Sequence, residues 1–305
     1  MKRLLSLLVI LLMAGAALYF AQHRDVPDAV SANAVVDVAA DLQRDVTRVP
    51  MRVTRLSDAD EVRIGDELAR RYGLSTAPQT PKMSSAQDYI NRLGARVASH
   101  ARRKLVFHFY LDPNPDLINA FALPGGHVVV GLGLINQMNS EDELAFVLAH
   151  EIEHIDHYHP VERVQIEAQL HKVSLDAFAA FAQIPLSLWQ AGYSKDEEFE
   201  ADREGLLLAA SAGYSPRGAI DLLTRLVQLD REYAIHADTP TGELSQLAIE
   251  GLMGYFRSHP MASDRLARVK ALIIEQHFST NQPITPLQNL EANKAKRSAL
   301  NSHGR

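Results

Sequence analysis

Residues 140–160 read SEDELAFVLAHEIEHIDHYHP, and the interpretation of the chain turns on this stretch. Ser140 followed by Glu143 is a capping-box signature for a helix start. Leu144, Val147, Leu148 and Ile155 recur at helical spacing, and Pro160 forbids much continuation. His150 and His154 therefore share a face. Four residues of helix advance about 6 Å and return to nearly the same azimuth, so both ring nitrogens can reach one divalent ion at roughly 2.0–2.1 Å. Glu151 lies one step round. It is too displaced to complete that coordination, yet close enough to take a proton from water beside the ion. This HExxH spacing thus separates two ligands from one base.

A hydrolytic zinc site keeps three protein ligands and one open position, so a further donor is needed. With no cysteine in the chain it must be nitrogen or oxygen. The segment Glu198-Phe199-Glu200-Ala201-Asp202, with Asp196 and Glu197 before it, can supply one. Glu198 and Asp202 stand four apart on one helical face, so one could bind the ion while the other accepts a hydrogen bond from a ligating imidazole. Glu200 points to a different side. The plainer reading of this run is a solvated helix face.

Several motifs in this order resemble the HtpX, BepA and Oma type of zinc metallopeptidases, gluzincins related to the CAAX prenyl endopeptidase. They are Ile64-Gly65, Asn119-Ala120-Phe121-Ala122-Leu123-Pro124-Gly125-Gly126, the His150 to His154 motif, Glu198-x-x-Ala201-Asp202, and His259-Pro260 followed by Arg265. Together they span residues 55–275. The resemblance implies an α+β fold, a mostly helical zincin-like domain with a small β-sheet bordering the active-site cleft. It also implies one Zn²⁺ per chain, Glu198 as third ligand and Asp202 as its hydrogen-bonding support. His259 would approach the ion as an inhibitory ligand or stabilise an oxyanion, and Arg265 would pair with an acidic residue near the site. The strand Asn119 to Ala122 would lie beside the cleft and pair with an extended substrate. Relatives of the BepA type carry a tetratricopeptide array after the peptidase domain, and no repeat of period 34 is found here.

In a chain of 305 residues, 47% hydrophobic and 22% charged content is enough for a sizeable core. A net charge of −6 without a concentrated basic surface argues against nucleic acid as a partner. Lys2 and Arg3 precede an uncharged apolar run from Leu4 to Phe20, the pattern of a signal peptide or of a short membrane anchor, so residues 1–21 predict export and a periplasmic location. Residues 22–55 read as a linker, 56–275 as the catalytic domain, and 276–305 as a polar, disordered tail.

Within the domain the pattern predicts helices from Asp58 to about Tyr72 and from Ser85 to about His100. A strand is predicted over Leu105–Leu111, then a hairpin around Pro124-Gly125-Gly126. His108 reads as an ordinary strand residue. Residues 161–195 are too polar and broken to span a bilayer. They read as core-packing helices, with a cleft-covering or membrane-facing element as the alternative. Residues 203–230 read as two helices about the turn Gly213 to Pro216. The expected function is zinc-dependent hydrolysis of peptide bonds in misfolded or unassembled envelope proteins, at the membrane surface or near the outer-membrane assembly machinery. The competing reading is an exported chaperone whose zinc site His259 keeps closed.

Overall fold

The computed structural model describes residues 56–75, 81–170, 189, 192–236 and 262–287. The expected signal or anchor (1–21), the linker (22–55), most of 171–191, the loop bearing His259 and the chain past 287 lie outside these residues. The chain divides into units 1–49 and 50–305, and the description concerns the second.

The first helix, α1, runs Asp58–Arg71; Ser57 caps it by accepting from the Asp60 N–H, acidic residues fill its first turn and Arg70 and Arg71 its last. Helix α2 is Pro81–Ala98. Strands β1 (His108–Asp112), β2 (Ala120–Leu123) and β3 (His127–Gly131) follow, with a 3₁₀ turn Pro124–Gly126 between β2 and β3. Short α3 (Leu132–Ile135) leads to α4 (Glu141–Asp156), then α5 (His159–Leu170), α6 (Lys195–Ser211), α7 (Arg217–His236) and α8 (Ala262–Glu275). This is the α+β, mostly helical class that the resemblance implied.

The sheet has the order β1-β3-β2. The predicted hairpin is the antiparallel pair β2–β3, with Phe121 opposite Val129, and β1 joins β3 in parallel, with Phe109 opposite Val128. The first strand begins three residues later than the pattern suggested. Alternation along the strands divides the core between two faces. Phe109, Leu111, Ala120, Ala122, Val128 and Val130 pack with α2 and α4. Tyr110, Phe121, Leu123 and Val129 pack with Ile64 and Leu68 of α1, with Val164 and with Trp189. A sheet covered on both faces explains why β3 reads as an unbroken apolar run.

Two close approaches fix this arrangement. A Cβ on Gly65 would stand 2.0 Å from the Pro124 carbonyl oxygen, so α1 lies directly on the 3₁₀ turn. Glu61, fully buried, accepts from the Gly125 N–H at 2.9 Å and from Arg103 at 2.5 Å. Gly125 itself needs φ of +76°. Where the composition predicted disorder from Gln276, residues 276–287 return to the start of α4. There Thr285 accepts from the Glu141 N–H at 2.8 Å and donates its own N–H to Asp142 at 2.7 Å.

Candidate metal centre

The centre is built on α4 and α6. Ser140 caps α4 as expected, accepting from the Glu143 N–H at 3.2 Å, but the return half of the predicted box goes elsewhere. The Glu143 carboxylate accepts from Asn139 N–H at 3.3 Å and from Arg225 at 2.5 Å. A complete capping box starts α6 instead, between Ser194 and Glu197. A Cβ on Gly205 would meet the His150 N and Cα at 3.0 Å, so α6 crosses α4 tightly at the first histidine.

That crossing sets the geometry. The Nε2 atoms of His150 and His154 are 3.0 Å apart, and each is 3.5 Å from an oxygen of Glu198. All three residues are buried, as is Glu151, at 1% exposure. Asp202 sits one turn beyond Glu198, with its Oδ1 3.1 Å from His150 Nδ1. Arg265, the partner-seeking cation of α8, donates from Nε and Nη2 to Asp202, both at 2.7 Å, and its Nη1 is 3.3 Å from Glu198. A guanidinium thus holds both carboxylates in place.

Charge is arranged in the same sense. Burial opposes the charged form of His150, but its hydrogen bonds to the Asp202 and Glu198 carboxylates and the Glu198 charge outweigh it and raise its pKa to about 9. His154 lies well below the ordinary value: burial lowers it, Glu198 pulls the other way, and the charge on His150 lowers it further. Burial opposes ionisation of Asp202 as well, yet Arg265 and His150 keep it below the usual carboxylate range. The surrounding carboxylates thus favour the charged form of His150, while burial favours the neutral form of His154.

The residues present fit a zinc ion. In a tetrahedron with bonds of roughly 2.0–2.1 Å the donors stand about 3.3–3.4 Å apart, and the observed 3.0, 3.5 and 3.5 Å bracket that value. With its Nδ1–H directed at Asp202, His150 would present its Nε2 lone pair to the same point once an ion displaces the proton there.

Two neighbours were not legible in the sequence. His159 sets its Nδ1 2.8 Å from His154 Nδ1, and Tyr193 stacks on the His154 ring with centroids 4.0 Å apart. Burial, the leading effect, raises the Tyr193 phenol well above its ordinary value, so it stays protonated. The signal for His159 was its place just beyond the turn that ends α4, beside Pro160 at the start of α5. Glu200 points away from the Glu198–Asp202 face, as its spacing required, and reaches His157 and His159. Asn119 is buried, and Ala120, Phe121 and Ala122 lie in β2, an edge of the sheet among the described residues that packs against α4. The stacked rings of His108 and His127 accord with a structural role for His108.

A mixed three-stranded sheet backing an HExxH helix, with a carboxylate delivered by a second helix, is the arrangement of a helical, metal-dependent hydrolase, with His150, His154 and Glu198 as its candidate ligands. The chain belongs to peptidase family M48, a family of metal-dependent peptidases whose model matches residues 84–273. It is 32% identical over 197 residues to the beta-barrel assembly-enhancing protease of Escherichia coli (strain K12), covering 58% of this chain and 39% of the relative. The protein of the same name from Yersinia pestis is 28% identical over 256 residues, 76% of this chain and 52% of its own length. The mitochondrial metalloendopeptidase OMA1 of Schizosaccharomyces pombe is 26% identical over 277 residues, 87% of this chain and 71% of the relative. The chain thus spans about two fifths of the length of the Escherichia coli relative.

Proposed function

We propose that this chain is a zinc-dependent endopeptidase in which His150, His154 and Glu198 hold the ion and Glu151 is the general base. The observation that carries the reading is the convergence of two Nε2 atoms and a buried carboxylate at tetrahedral separations, with Glu151 buried beside them. Zinc, when bound, supplies Lewis acidity, which acidifies water and polarises a scissile carbonyl. Glu151 accepts the proton of the attacking water and passes it to the leaving amine, so no covalent acyl intermediate is needed. Asp202 holds the His150 ring by its Nδ1–H, and Arg265 holds Asp202 and Glu198. An extended substrate lies along β2, whose edge position and packing on α4 support strand addition.

The substrates we propose are misfolded or unassembled envelope proteins met in the periplasm, at the membrane surface or beside the assembly machinery. The N-terminal apolar run supports export, and two relatives named for β-barrel assembly support the substrate class. Among the described residues, no helix is long and apolar enough to cross a membrane.

The test is Glu151→Gln against His150→Ala, with zinc content and cleavage of casein and of an unfolded outer-membrane protein measured on the same samples. The first variant keeps its zinc and loses cleavage; the second loses both. Cleavage surviving in Glu151→Gln would falsify the base assignment, and zinc retained in His150→Ala would contradict the ligand set. A wild-type protein that binds zinc and unfolded protein without cutting it would be the chaperone of the competing reading.

A further inference from the structure

A second cluster of ligand atoms lies on the far side of His154. His157 Nδ1 is 3.2 Å and His159 Nε2 3.6 Å from Glu200 Oε2, again close to the donor spacing of a tetrahedral ion. The two rings are stacked with centroids 5.6 Å apart. They are brought together by Tyr158, a non-glycine residue at φ of +64° whose ring lies beneath the Arg103 guanidinium, 3.9 Å from centroid to Cζ. A left-handed tyrosine is strained, and here it turns the chain so that both histidines face α6. The side chains of His157 and Glu200 are 16% and 41% exposed, so the cluster opens to solvent where the first centre is buried.

We propose that His157 Nδ1, His159 Nε2 and the Glu200 carboxylate form a second, exchangeable site for a divalent transition cation such as Zn²⁺, and that filling it weakens the first site. Two imidazoles and one carboxylate select zinc or its transition-metal neighbours over magnesium or calcium. When the cation binds, the proton on His157 moves to Nε2, which lies 2.5 Å from Arg102 Nη2, so the exposed guanidinium must give way and leave Glu153 Oε2, 3.5 Å off, to accept it.

The antagonism follows from one shared hydrogen bond and rests on the ligand roles proposed above. A His154 that gives its Nε2 lone pair to the first ion carries its proton on Nδ1 and donates it to His159 Nδ1, 2.8 Å away. His159 then carries its own proton on Nε2, directed at Glu200. A cation at that Nε2 needs the opposite tautomer, which sets two N–H groups against each other across the shared bond. Both sites can fill only at the expense of that bond.

The test is calorimetric titration of the full chain with Zn²⁺, starting metal-free, in wild type, His157→Gln and His150→Ala, with cobalt absorption spectra as a second readout. Wild type takes up two equivalents, the second at least about tenfold more weakly, the scale on which a lost supporting hydrogen bond acts. His157→Gln keeps the tight equivalent and loses the weak one, and Mg²⁺ displaces neither. His150→Ala loses the tight equivalent and keeps the other. A single equivalent in wild type, or two retained in His157→Gln, overturns the site. If His150→Ala instead keeps the tight equivalent and His157→Gln loses it, the catalytic ligand assignment fails while the second site stands. Casein cleavage falls as the second equivalent fills in wild type but not in His157→Gln; equal inhibition in both overturns the antagonism.

Discussion

At the scale of single residues, the candidate centre is braced by Arg265, 1% exposed and bonded to two carboxylates, Glu198 and Asp202, that also meet His150. Removing a cation from a buried network leaves its partners uncompensated, at a cost of about 3–5 kcal/mol. Arg265→Lys keeps the charge but cannot reproduce the two parallel bonds to Asp202. Its zinc affinity is expected to fall between about ten- and a hundredfold, as read by competition with a chromophoric chelator, and an affinity within a factor of two of wild type would show that Asp202 is held by other means. The HExxH spacing makes the two imidazoles of the candidate centre and the base we propose legible in the sequence, because all lie within about one helical turn of each other. The choice between Glu198 and Asp202 needed the family resemblance, and the acidic partners of Arg265 were beyond reach, since that contact closes 63 residues of chain.

His127 supplies a residue-scale prediction away from the metal. It is buried, with Tyr110 at its Nδ1 and Asp66 near its Nε2. Burial, reinforced by His108 and opposed by Asp66, lowers its pKa from 6.5 to about 4. The folded chain thus refuses a proton that the unfolded chain accepts between these values. Stability is intact above pH 6.5 and is lost progressively as pH falls towards 4, by an amount on the order of 3 kcal/mol at most. His127→Gln flattens that slope in denaturant titrations at stepped pH; an unchanged slope would move the acid sensitivity to another group.

At the scale of elements, α4 and α6 cross so closely at Gly205 that its missing side chain is part of the centre. Gly205→Ala places a methyl 3.0 Å from the His150 backbone, which the helices must yield to by a few tenths of an ångström. Overpacking of this kind costs typically about 1–3 kcal/mol. Because the strain falls at the ligand, zinc affinity is expected to drop more than the melting temperature of the metal-free protein does. A matched loss in both would make Gly205 an ordinary packing position. Helices α1 and α4 were readable from caps and 3.6-residue spacing and the hairpin from Pro-Gly-Gly, whereas α2 starts at Pro81 rather than Ser85 and α8 was not read. The parallel partnership of β1 with β3 was not, because local pattern carries no information on which strand lies beside which. His159 could not be placed for a related reason: Pro160 was readable as a break, but the left-handed Tyr158 that swings the chain back towards His154 has no composition signal.

At the scale of the whole molecule, the start of α4 is where distant parts of the chain meet. Its first turn takes the Tyr89 and Tyr214 hydroxyls on Glu141, the Ser215 N–H on Asp142 and the returning Thr285 on both backbone and side chain. The helix that bears His150, Glu151 and His154 is therefore anchored at its N-terminal end by residues from across the domain, a dependence that the polar composition of residues 276–287 concealed. Deleting the chain after Gln276 removes both Thr285 bonds, one of them to a carboxylate, and uncovers the apolar surface under Phe278 and Leu287. Bonds of these kinds contribute about 1–3 kcal/mol each, so the truncated chain is expected to be less stable by roughly 2–4 kcal/mol and to melt some 4–16 °C lower. Zinc uptake should survive, since no ligand is touched and α4 keeps its crossing with α6. A melting temperature equal to that of the full chain would show that the returning segment only rests on α4, and that the anchorage comes from Tyr89, Tyr214 and Ser215 alone.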